Sequence, residues 1–294
     1  MILNILISTI DNRIDDVVQI VLPMRSDVKY FITHQCTEYR YARIPEGLRR
    51  DDVYIFHMQG KGLTKSRNNT IRNATGDVCL IADDDVRYSN EYFDTILSAY
   101  KDESLDFACF KINTGDENLP YKDYPQEAVK LTRKYYHTPS SIEITFRLKS
   151  IRESGMWFDE RFGLGARIVG GEERLFILDA FEANLNVWFF PEYVVNHPYD
   201  SSVKKMSKYD TNKVSMLGAM DAKINGWISI PKAVGDTGRL LGELIKYRKN
   251  PFLYCTERIK ASFYILSTEK DKMKKADSFV FSTIKQHEYE KQHG

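Results

Sequence analysis

The stretch GLTKSRNNTIRNATGDVCLIADDDV, residues 62–86, decides the fold that we predict for this chain. Residues 78–82 are apolar at every position, as expected for a strand of a parallel sheet covered on both faces. This strand runs directly into Asp83, Asp84 and Asp85. Ligands of open α/β sheets bind outside the carboxyl ends of the strands, and alternate residues of an extended segment point to the same side. Asp83 and Asp85 are therefore the predicted ligand pair for Mg²⁺ or Mn²⁺, which accept hard oxygen donors.

Strands and helices alternate on both sides of this stretch. Residues 2–10 and 28–33 have the composition of strands, and the apolar residues between them recur at helical spacing over about 14–24. Further predicted elements are a strand at 53–56, a helix at 65–73, the strand at 78–82, a helix at about 89–101 and a strand near 105–112. This order predicts an α/β fold with a Rossmann-like, mostly parallel central sheet flanked by helices.

Composition limits the class of protein. With 294 residues, of which 43% are hydrophobic, the chain can bury a full core in one large or two modest domains. A formal net charge of +1 argues against nucleic acid as a partner, because binding phosphates requires a basic surface. The four cysteines stand singly, and residues 2–10 are too short to span a membrane and lack the basic lead of a signal peptide. We therefore expect a cytoplasmic protein with neither a disulfide framework nor a zinc site.

A second segment with chemical potential is FDERFGLGARIVGGEERLFILDAF, residues 158–181. Its glycines permit close approach of the backbone to a ligand, and an apolar helix follows them. Glu172 and Glu173 fall at the predicted start of that helix, where the unpaired amides and the helix dipole stabilise anions. Two interpretations are open at this point, since acidic residues are common in first helical turns for structural reasons alone.

An acidic triplet alone is often a solvated loop, but here several features occur in a fixed order. Gly-Leu-Thr-x-x-Arg-Asn, a short helix, Ala-Thr-Gly-Asp, an apolar strand and Asp-Asp-Asp together resemble family 2 of the inverting glycosyltransferases, which have the GT-A fold. The resemblance covers about residues 1–200. It implies that Asp83-x-Asp85 is a DxD motif that holds a divalent ion on the donor diphosphate. It also implies that Arg67 and Asn68 lie beside the donor, and we place Lys65 and Asp84 with them.

The same resemblance gives the second segment a role. Phe158-Asp159-Glu160-Arg161-Phe162 and Gly171-Glu172-Glu173 match the family's Phe-Asp-Glu-x-Phe and Gly-Glu-Asp in order. Glu173 then stands where the family has the Asp that deprotonates the acceptor hydroxyl. Because Glu replaces Asp, Glu172 remains the alternative base. The resemblance further implies that His197, which follows an apolar strand, is a metal ligand, and an imidazole favours Mn²⁺ over Mg²⁺.

The nucleotide of the donor is less well determined by the sequence. Thr9, Asp11 and Arg13 follow the first strand and are our candidates for nucleotide contacts. Many members of the family have an acidic residue near the uracil at the end of the second strand, whereas this chain has His34 and Gln35. We take a UDP-sugar as the default donor and expect these two side chains to supply the missing hydrogen bonds.

The rest of the chain is assigned more coarsely. We predict a GT-A catalytic domain at 1–200, with a nucleotide-sugar-binding half at 1–112 and an acceptor-side half at 113–200, whose segment 113–141 has the composition of a loop and lid. Residues 201–294 form a mainly helical extension, in which basic and apolar residues mix at 239–266. Such helices either pack on the catalytic domain or a second copy of the chain, or lie on an anionic membrane surface. The ending KQHEYEKQHG is expected to fray.

The resemblance thus implies an inverting, metal-dependent transferase in polysaccharide biosynthesis, which moves a sugar from a nucleotide-diphosphate sugar to a hydroxyl of a glycan or lipid-linked glycan. Two alternatives remain at this stage. A nucleotidyltransferase would also use aspartates and a metal, but the segment after the first strand lacks a Gly-rich phosphate loop. A non-catalytic glycan-binding protein would explain the aromatic residues of the loop but not the two acidic motifs together.

Overall fold

A computed structural model of the chain describes residues 1–116, 118–198 and 208–268. The expected frayed ending therefore lies outside the described residues, as does the boundary that we placed at residue 200. The strands are β1 (Leu3–Ile10), β2 (Val28–Cys36), β3 (Val53–Gln59), β4 (Val78–Asp83), β5 (Phe107–Asn113), β6 (Val129–Lys130), β7 (Ile144–Arg147) and β8 (Val187–Asn196). The helices are α1 (Ile14–Val17), α2 (Leu63–Asn73), α3 (Asn90–Ala99), α4 (Leu148–Glu153), α5 (Glu172–Glu182), α6 (Thr211–Asn225), α7 (Ser229–Arg239), α8 (Leu241–Lys246) and α9 (Pro251–Ser267).

The eight strands form one sheet in the order β3-β2-β1-β4-β7-β5-β8-β6. β1 pairs in parallel with β2 and β4, β2 with β3, and β5 with β8. β7 is antiparallel to both of its neighbours and β6 to β8, so six strands run in one direction and two in the other. The predicted α/β fold with a mostly parallel sheet is therefore confirmed, and its apolar strands carry the large core cluster.

The helix predicted at 14–24 is wrong in length. α1 ends after one turn at Val17, and the chain continues in turns whose amides of Val18, Gln19 and Ile20 bond three residues back. Ile14, Val17 and Ile20 are fully buried, whereas Val18 is 36% exposed. Because these apolar residues are three positions apart, successive turns bring all of them onto the sheet without a full α-helix. Pro23 prevents a helix from continuing through this segment.

The C-terminal helices pack on the catalytic part of the chain. A second apolar cluster joins Phe162, Ile168 and Leu175 to residues of α6 and α9. Arg161 Nη1 also donates to the carbonyl of Ile265 in α9 at 2.9 Å. Within the described residues, no helix combines the length and apolar character that crossing a membrane requires.

Candidate active site

The carboxyl ends of β1 and β4 bring the predicted donor residues together. In the parallel register of these strands, Ser8 lies beside Asp83, so the segment after β1 runs alongside the aspartate triplet. Arg13, which follows that strand, forms an ion pair with Asp84 and lies 3.3 Å from Asp85. Asp11 adopts a left-handed backbone, with φ of 48°, and its carboxylate accepts hydrogen bonds from the amide and hydroxyl of Thr37. These contacts fix the turn that presents Arg13.

The exposure of the three aspartates alternates, as expected for consecutive side chains of an extended segment. The Asp83 and Asp85 side chains are 34% and 52% exposed, whereas the Asp84 side chain is 6% exposed. Burial raises the pKa of Asp84 to about 6, although Arg13 lies beside it. Asp83 and Asp85 thus open toward solvent, and Asp84 is tied into the protein.

His197 approaches the triplet from the end of β8. Its Nε2 lies 3.5 Å from Asp85, while Nδ1 lies 2.6 Å from the carbonyl of Pro198, which can hold a proton on Nδ1. The carboxylate of Asp85 raises the pKa of His197, and both His197 and Arg13 hold the pKa of Asp85 below its usual range. The structure therefore brings together two of the three predicted metal ligands, Asp85 and His197. The third, Asp83, lies two residues before Asp85 in the sequence.

Arg67 connects the triplet to the second acidic segment. Its guanidinium is 2% exposed and lies 3.2 Å from Asp83, 3.4 Å from Glu172 and 3.2 Å from Glu173. The aspartate at the end of β4 and the two glutamates at the start of α5 are thus gathered around one buried cation, over the ring of Phe158. The two motifs are about 90 residues apart in sequence, and the fold makes them one site.

Glu172 and Glu173 occupy different environments within this site. Gly171, with φ of 92°, turns the chain into α5, so that both carboxylates stand at the amino end of the helix. The Glu172 side chain is 4% exposed, and burial together with repulsion from Glu173 raises its pKa. The Glu173 side chain is 21% exposed. Of the two, Glu173 is the carboxylate that a ligand in the cleft can reach.

Several other predicted residues are buried rather than open to a ligand. Asn68 is 2% exposed, and its amide binds the backbone of Phe158 through both its oxygen and its nitrogen, at 2.9 Å each. Thr9 is also 2% exposed, whereas Lys65 in the first turn of α2 is partly exposed. Arg67 and Asn68 are therefore buried and bound to other parts of the protein, and their implied position beside the donor stays a prediction.

His34 and Gln35 also use their hydrogen bonds internally. His34 Nε2 lies 2.8 Å from the carbonyl of Asp11. Gln35 accepts from the amide of Gly62 at 2.7 Å and donates to the carbonyl of Thr9 at 3.3 Å. Both side chains are buried, so they order the loops after β1 and before α2.

Ser141 is a site residue that the sequence analysis missed. Its hydroxyl donates to Asp83 at 3.0 Å, from the end of the long segment after β5. The neighbouring Glu143 is fully buried and binds Tyr124 and Lys122 at 2.5 and 2.9 Å, which fastens that segment to the sheet. The only available signal was a Ser-x-x-Glu capping box at Ser140, which predicts a turn but no partner.

Comparison with known proteins agrees with this geometry. The family model described as glycosyl transferase family 2 matches residues 9–158, slightly more than half of the chain. The chain therefore belongs to glycosyltransferase family 2 and is a glycosyltransferase, which sets aside the nucleotidyltransferase and the non-catalytic glycan-binding protein. No curated protein sequence matches it.

Solved structures of S. aureus TarS share the fold. TarS residues 1–349 align with a TM-score of 0.55 at 13% identity over 92% of each chain. The same fragment in complex with UDP aligns with a TM-score of 0.54 at 14% identity, again over 92% of each chain. Its complex with UDP-GlcNAc gives 0.54 at 14% identity over 78% of this chain and 70% of that one. At these identities the likeness supports the GT-A fold alone.

Proposed function

We propose that this protein transfers a sugar from a nucleoside diphosphate sugar to a hydroxyl of a glycan or lipid-linked glycan, by a single displacement with inversion at the anomeric carbon. The observation that carries the proposal is the gathering of Asp83, Glu172 and Glu173 around buried Arg67, at the carboxyl edge of the sheet. This arrangement supplies a place for the donor diphosphate and a base for the acceptor within one cleft.

Asp83, Asp85 and His197 suit a divalent cation. The two aspartates offer solvent-facing carboxylate oxygens, and the Pro198 carbonyl beside Nδ1 leaves the Nε2 lone pair of a neutral His197 free for a ligand. Two carboxylates and an imidazole favour Mn²⁺, and two carboxylates alone suit Mg²⁺. When bound, such an ion neutralises charge that develops on the leaving diphosphate. Arg13, now paired with Asp84 and Asp85, is positioned to meet the same phosphates.

Glu173 is the proposed base. Its carboxylate reaches the cleft surface, and it takes the proton of the acceptor hydroxyl as the oxygen forms its bond to the anomeric carbon. Arg67 holds this carboxylate in place, and the same guanidinium is shared with Asp83 and Glu172. Glu172 stands behind it and carries a raised pKa, so that it keeps a proton more readily than an exposed carboxyl.

The donor nucleotide is proposed from the segment after β1. Arg13 pairs with Asp84 and Asp85, Asp11 orders the turn before it, and Lys65 is partly exposed in the first turn of α2, whereas Thr9 is buried at the end of β1. A TarS fragment of the same fold has been solved with UDP and with UDP-GlcNAc, so a UDP-sugar is the first donor to test. We assign residues 1–112 to the donor side and 113–200 to the acceptor side.

The experiment is a thermal-shift and hydrolysis screen of UDP-, GDP-, CDP- and TDP-sugars, each with and without Mn²⁺. A ligand that binds only the folded protein raises its melting temperature by mass action. We expect one nucleotide class to raise it in the presence of Mn²⁺ and to be hydrolysed slowly when no acceptor is present. If no nucleotide sugar shifts the melting temperature under any condition, the proposed donor class is wrong.

A further inference from the structure

Two histidines and a cysteine, which the proposed reaction does not use, converge at the ends of β2 and β3. His34 and Cys36 are two residues apart on β2 and therefore point to the same face. His57 is the register partner of His34 on β3, so its side chain lies on that face too. One nitrogen or sulfur atom from each of the three lies within 4.8 Å of the others. We call these three residues the His-Cys-His cluster.

This cluster is separate from the proposed transfer site. It shares no residue with Asp83, Asp85 and His197, and β1 separates its two strands from β4. Within the described residues it is also the one group of three such side chains whose donor atoms approach this closely. Its nearest link to the transfer site is Asp11, whose carbonyl binds His34 and whose carboxylate binds Thr37.

His34 has a buried nitrogen that needs an explanation. The side chain is fully buried, and its Nε2 is engaged by the Asp11 carbonyl at 2.8 Å, so Nε2 carries the proton and donates. Nδ1 is then an acceptor, and it has no hydrogen-bond partner among the described residues. Leaving a buried acceptor without a partner costs about 1–3 kcal/mol. A metal-ligating histidine commonly shows the same pattern, with its other nitrogen fixed by a carbonyl.

The protonation states of the two histidines suit metal ligation. Burial lowers the pKa of His34 and lowers that of His57 to about 4, so both imidazoles are neutral at pH 7. Burial raises the pKa of Cys36 to about 11, which argues against a free reactive thiolate. The Cys36 sulfur lies 3.8 Å from His57 Nδ1. Two ligands of one tetrahedral zinc ion, one sulfur and one nitrogen, are about 3.5 Å apart.

We propose that the His-Cys-His cluster binds a zinc ion through His34 Nδ1, Cys36 Sγ and His57 Nδ1. Binding forms the Zn–S bond and releases the thiol proton to solvent, and water fills the remaining position. Imidazole and thiolate are the donors that zinc accepts in proteins. The ion ties the end of β2 to the end of β3 and stiffens the contact from His34 to the turn at Asp11. Its role is therefore to order the donor side of the cleft, without taking part in transfer.

The test uses the full chain purified without a histidine tag, titrated with Zn²⁺ in a calorimeter and with Co²⁺ in a spectrophotometer. We expect one zinc equivalent and, with Co²⁺, a thiolate-to-metal charge-transfer band. Cys36→Ser should abolish the band and weaken zinc binding by about 10-fold or more. His57→Gln should weaken zinc binding to the same extent. An Asp83→Asn, Asp85→Asn double variant should keep both signals, which separates this site from the proposed transfer site.

Matched controls are Cys255→Ser, a cysteine outside the cluster, and His137→Gln, a half-buried histidine whose pKa is also lowered to about 4. Both should bind zinc like the wild type. Zinc should raise the melting temperature of the wild type and of the controls but not of Cys36→Ser. The proposal is overturned if the wild type binds no zinc saturably, if Cys36→Ser binds it equally well, or if only copper binds. Failure here leaves the proposed transfer reaction untouched.

Discussion

Arg67 is the residue on which the site depends most. A buried guanidinium next to three carboxylates is stable only while its charge is compensated, and its Nε has no hydrogen-bond partner among the described residues. Burial and the neighbouring Glu173 raise the pKa of Glu172, which weakens its share of that compensation. The arrangement ties the end of β4 to the start of α5 through a single side chain.

The first prediction separates the two glutamates. Glu173→Gln keeps the shape of the side chain but removes the base, so transfer should fall by about 10²–10⁴-fold while donor affinity changes little. Glu182→Gln, at the far end of the same helix, should leave both quantities unchanged. The measurements are the transfer rate of each variant and its donor affinity, determined by calorimetry. Normal turnover in Glu173→Gln with loss in Glu172→Gln would move the base by one residue.

The second prediction uses the pKa of Asp84. Because that pKa is raised from 3.8 to about 6 in the folded protein, the protonated carboxyl stabilises the fold at low pH, and this contribution is lost as pH rises through about 6. Relative to Asp84→Asn, which does not titrate, the wild type should lose about 2 kcal/mol of unfolding free energy between about pH 4.5 and about pH 7.5.

Urea unfolding of the wild type and Asp84→Asn at those two pH values measures this difference. Asp51→Asn, at an exposed position, is the control and should parallel the wild type at both. A difference between the wild type and Asp84→Asn that does not change with pH would show that burial does not govern this carboxyl.

At the scale of elements, the apolar pattern of the sequence predicted the position of a strand or helix correctly where the burial of that element is uniform. β4 is buried on both faces, so its unbroken apolar run predicted both the position of the strand and the place of the aspartate triplet at its end. α2 and α5 also appeared close to their predicted positions, because their glycines and polar starts mark the first turn. The helix at 14–24 failed because apolar spacing by three and four also fits a turn-rich segment packed on a sheet.

The contacts of the site show where sequence reasoning stops. The pair of aspartates and the pair of glutamates were singled out from local order, but nothing in that order indicated that Arg67 joins Asp83 to both glutamates. Whether a polar side chain faces a ligand or the interior depends on elements that approach from far along the chain. Ser141 is 58 residues from the Asp83 carboxylate that it binds, and no spacing rule links them.

The third prediction concerns the packing of α6 on α9. A Cβ added at Gly218 would lie 2.3 Å from the carbonyl oxygen of Arg258, a backbone atom that cannot move aside cheaply. Gly218→Ala should therefore lower the free energy of unfolding by about 1–3 kcal/mol. Gly235→Ala in α7 meets nothing within 4 Å and should instead be neutral or stabilising, by up to about 1 kcal/mol. The urea unfolding midpoints of the two variants measure this difference. Equal changes in both would contradict the close approach of α6 to α9.

At the scale of the whole molecule, the C-terminal helices pack on the rest of the chain through the cluster with Phe162, Ile168 and Leu175. They also leave large apolar side chains exposed, namely Trp227, Ile228, Val234, Leu241, Ile245, Phe252, Leu253 and Phe263. Lys246, Arg248 and Lys249 are exposed in the same region. The sequence left open a contact of this region with an anionic membrane surface or with a second copy of the chain, and the combination of exposed apolar and basic side chains suits the membrane contact that we test next.

The fourth prediction tests that contact by co-sedimentation with vesicles. Each basic residue near anionic lipid contributes about 1 kcal/mol, so changing Lys246, Arg248 and Lys249 together to glutamine should weaken binding by about 10²-fold. High salt should weaken it as well, and neutral vesicles should bind little. Lys149→Gln, on α4, serves as the control. Negligible sedimentation of the wild type under every condition would leave the exposed face to a second copy, which analytical ultracentrifugation would detect.

The fifth prediction addresses the central claim, that Asp83 and Asp85 hold a metal ion on the donor diphosphate. The measurement is calorimetric titration of the donor identified by the screen, with and without Mn²⁺, into the wild type, Asp83→Asn, Asp85→Asn and the control Asp51→Asn. We expect Mn²⁺ to tighten donor binding at least about 10-fold in the wild type and control, since the ion neutralises the diphosphate against the two carboxylates. Both site variants should lose that gain and keep cooperative thermal unfolding. Unchanged Mn²⁺-dependent affinity in both would contradict the account.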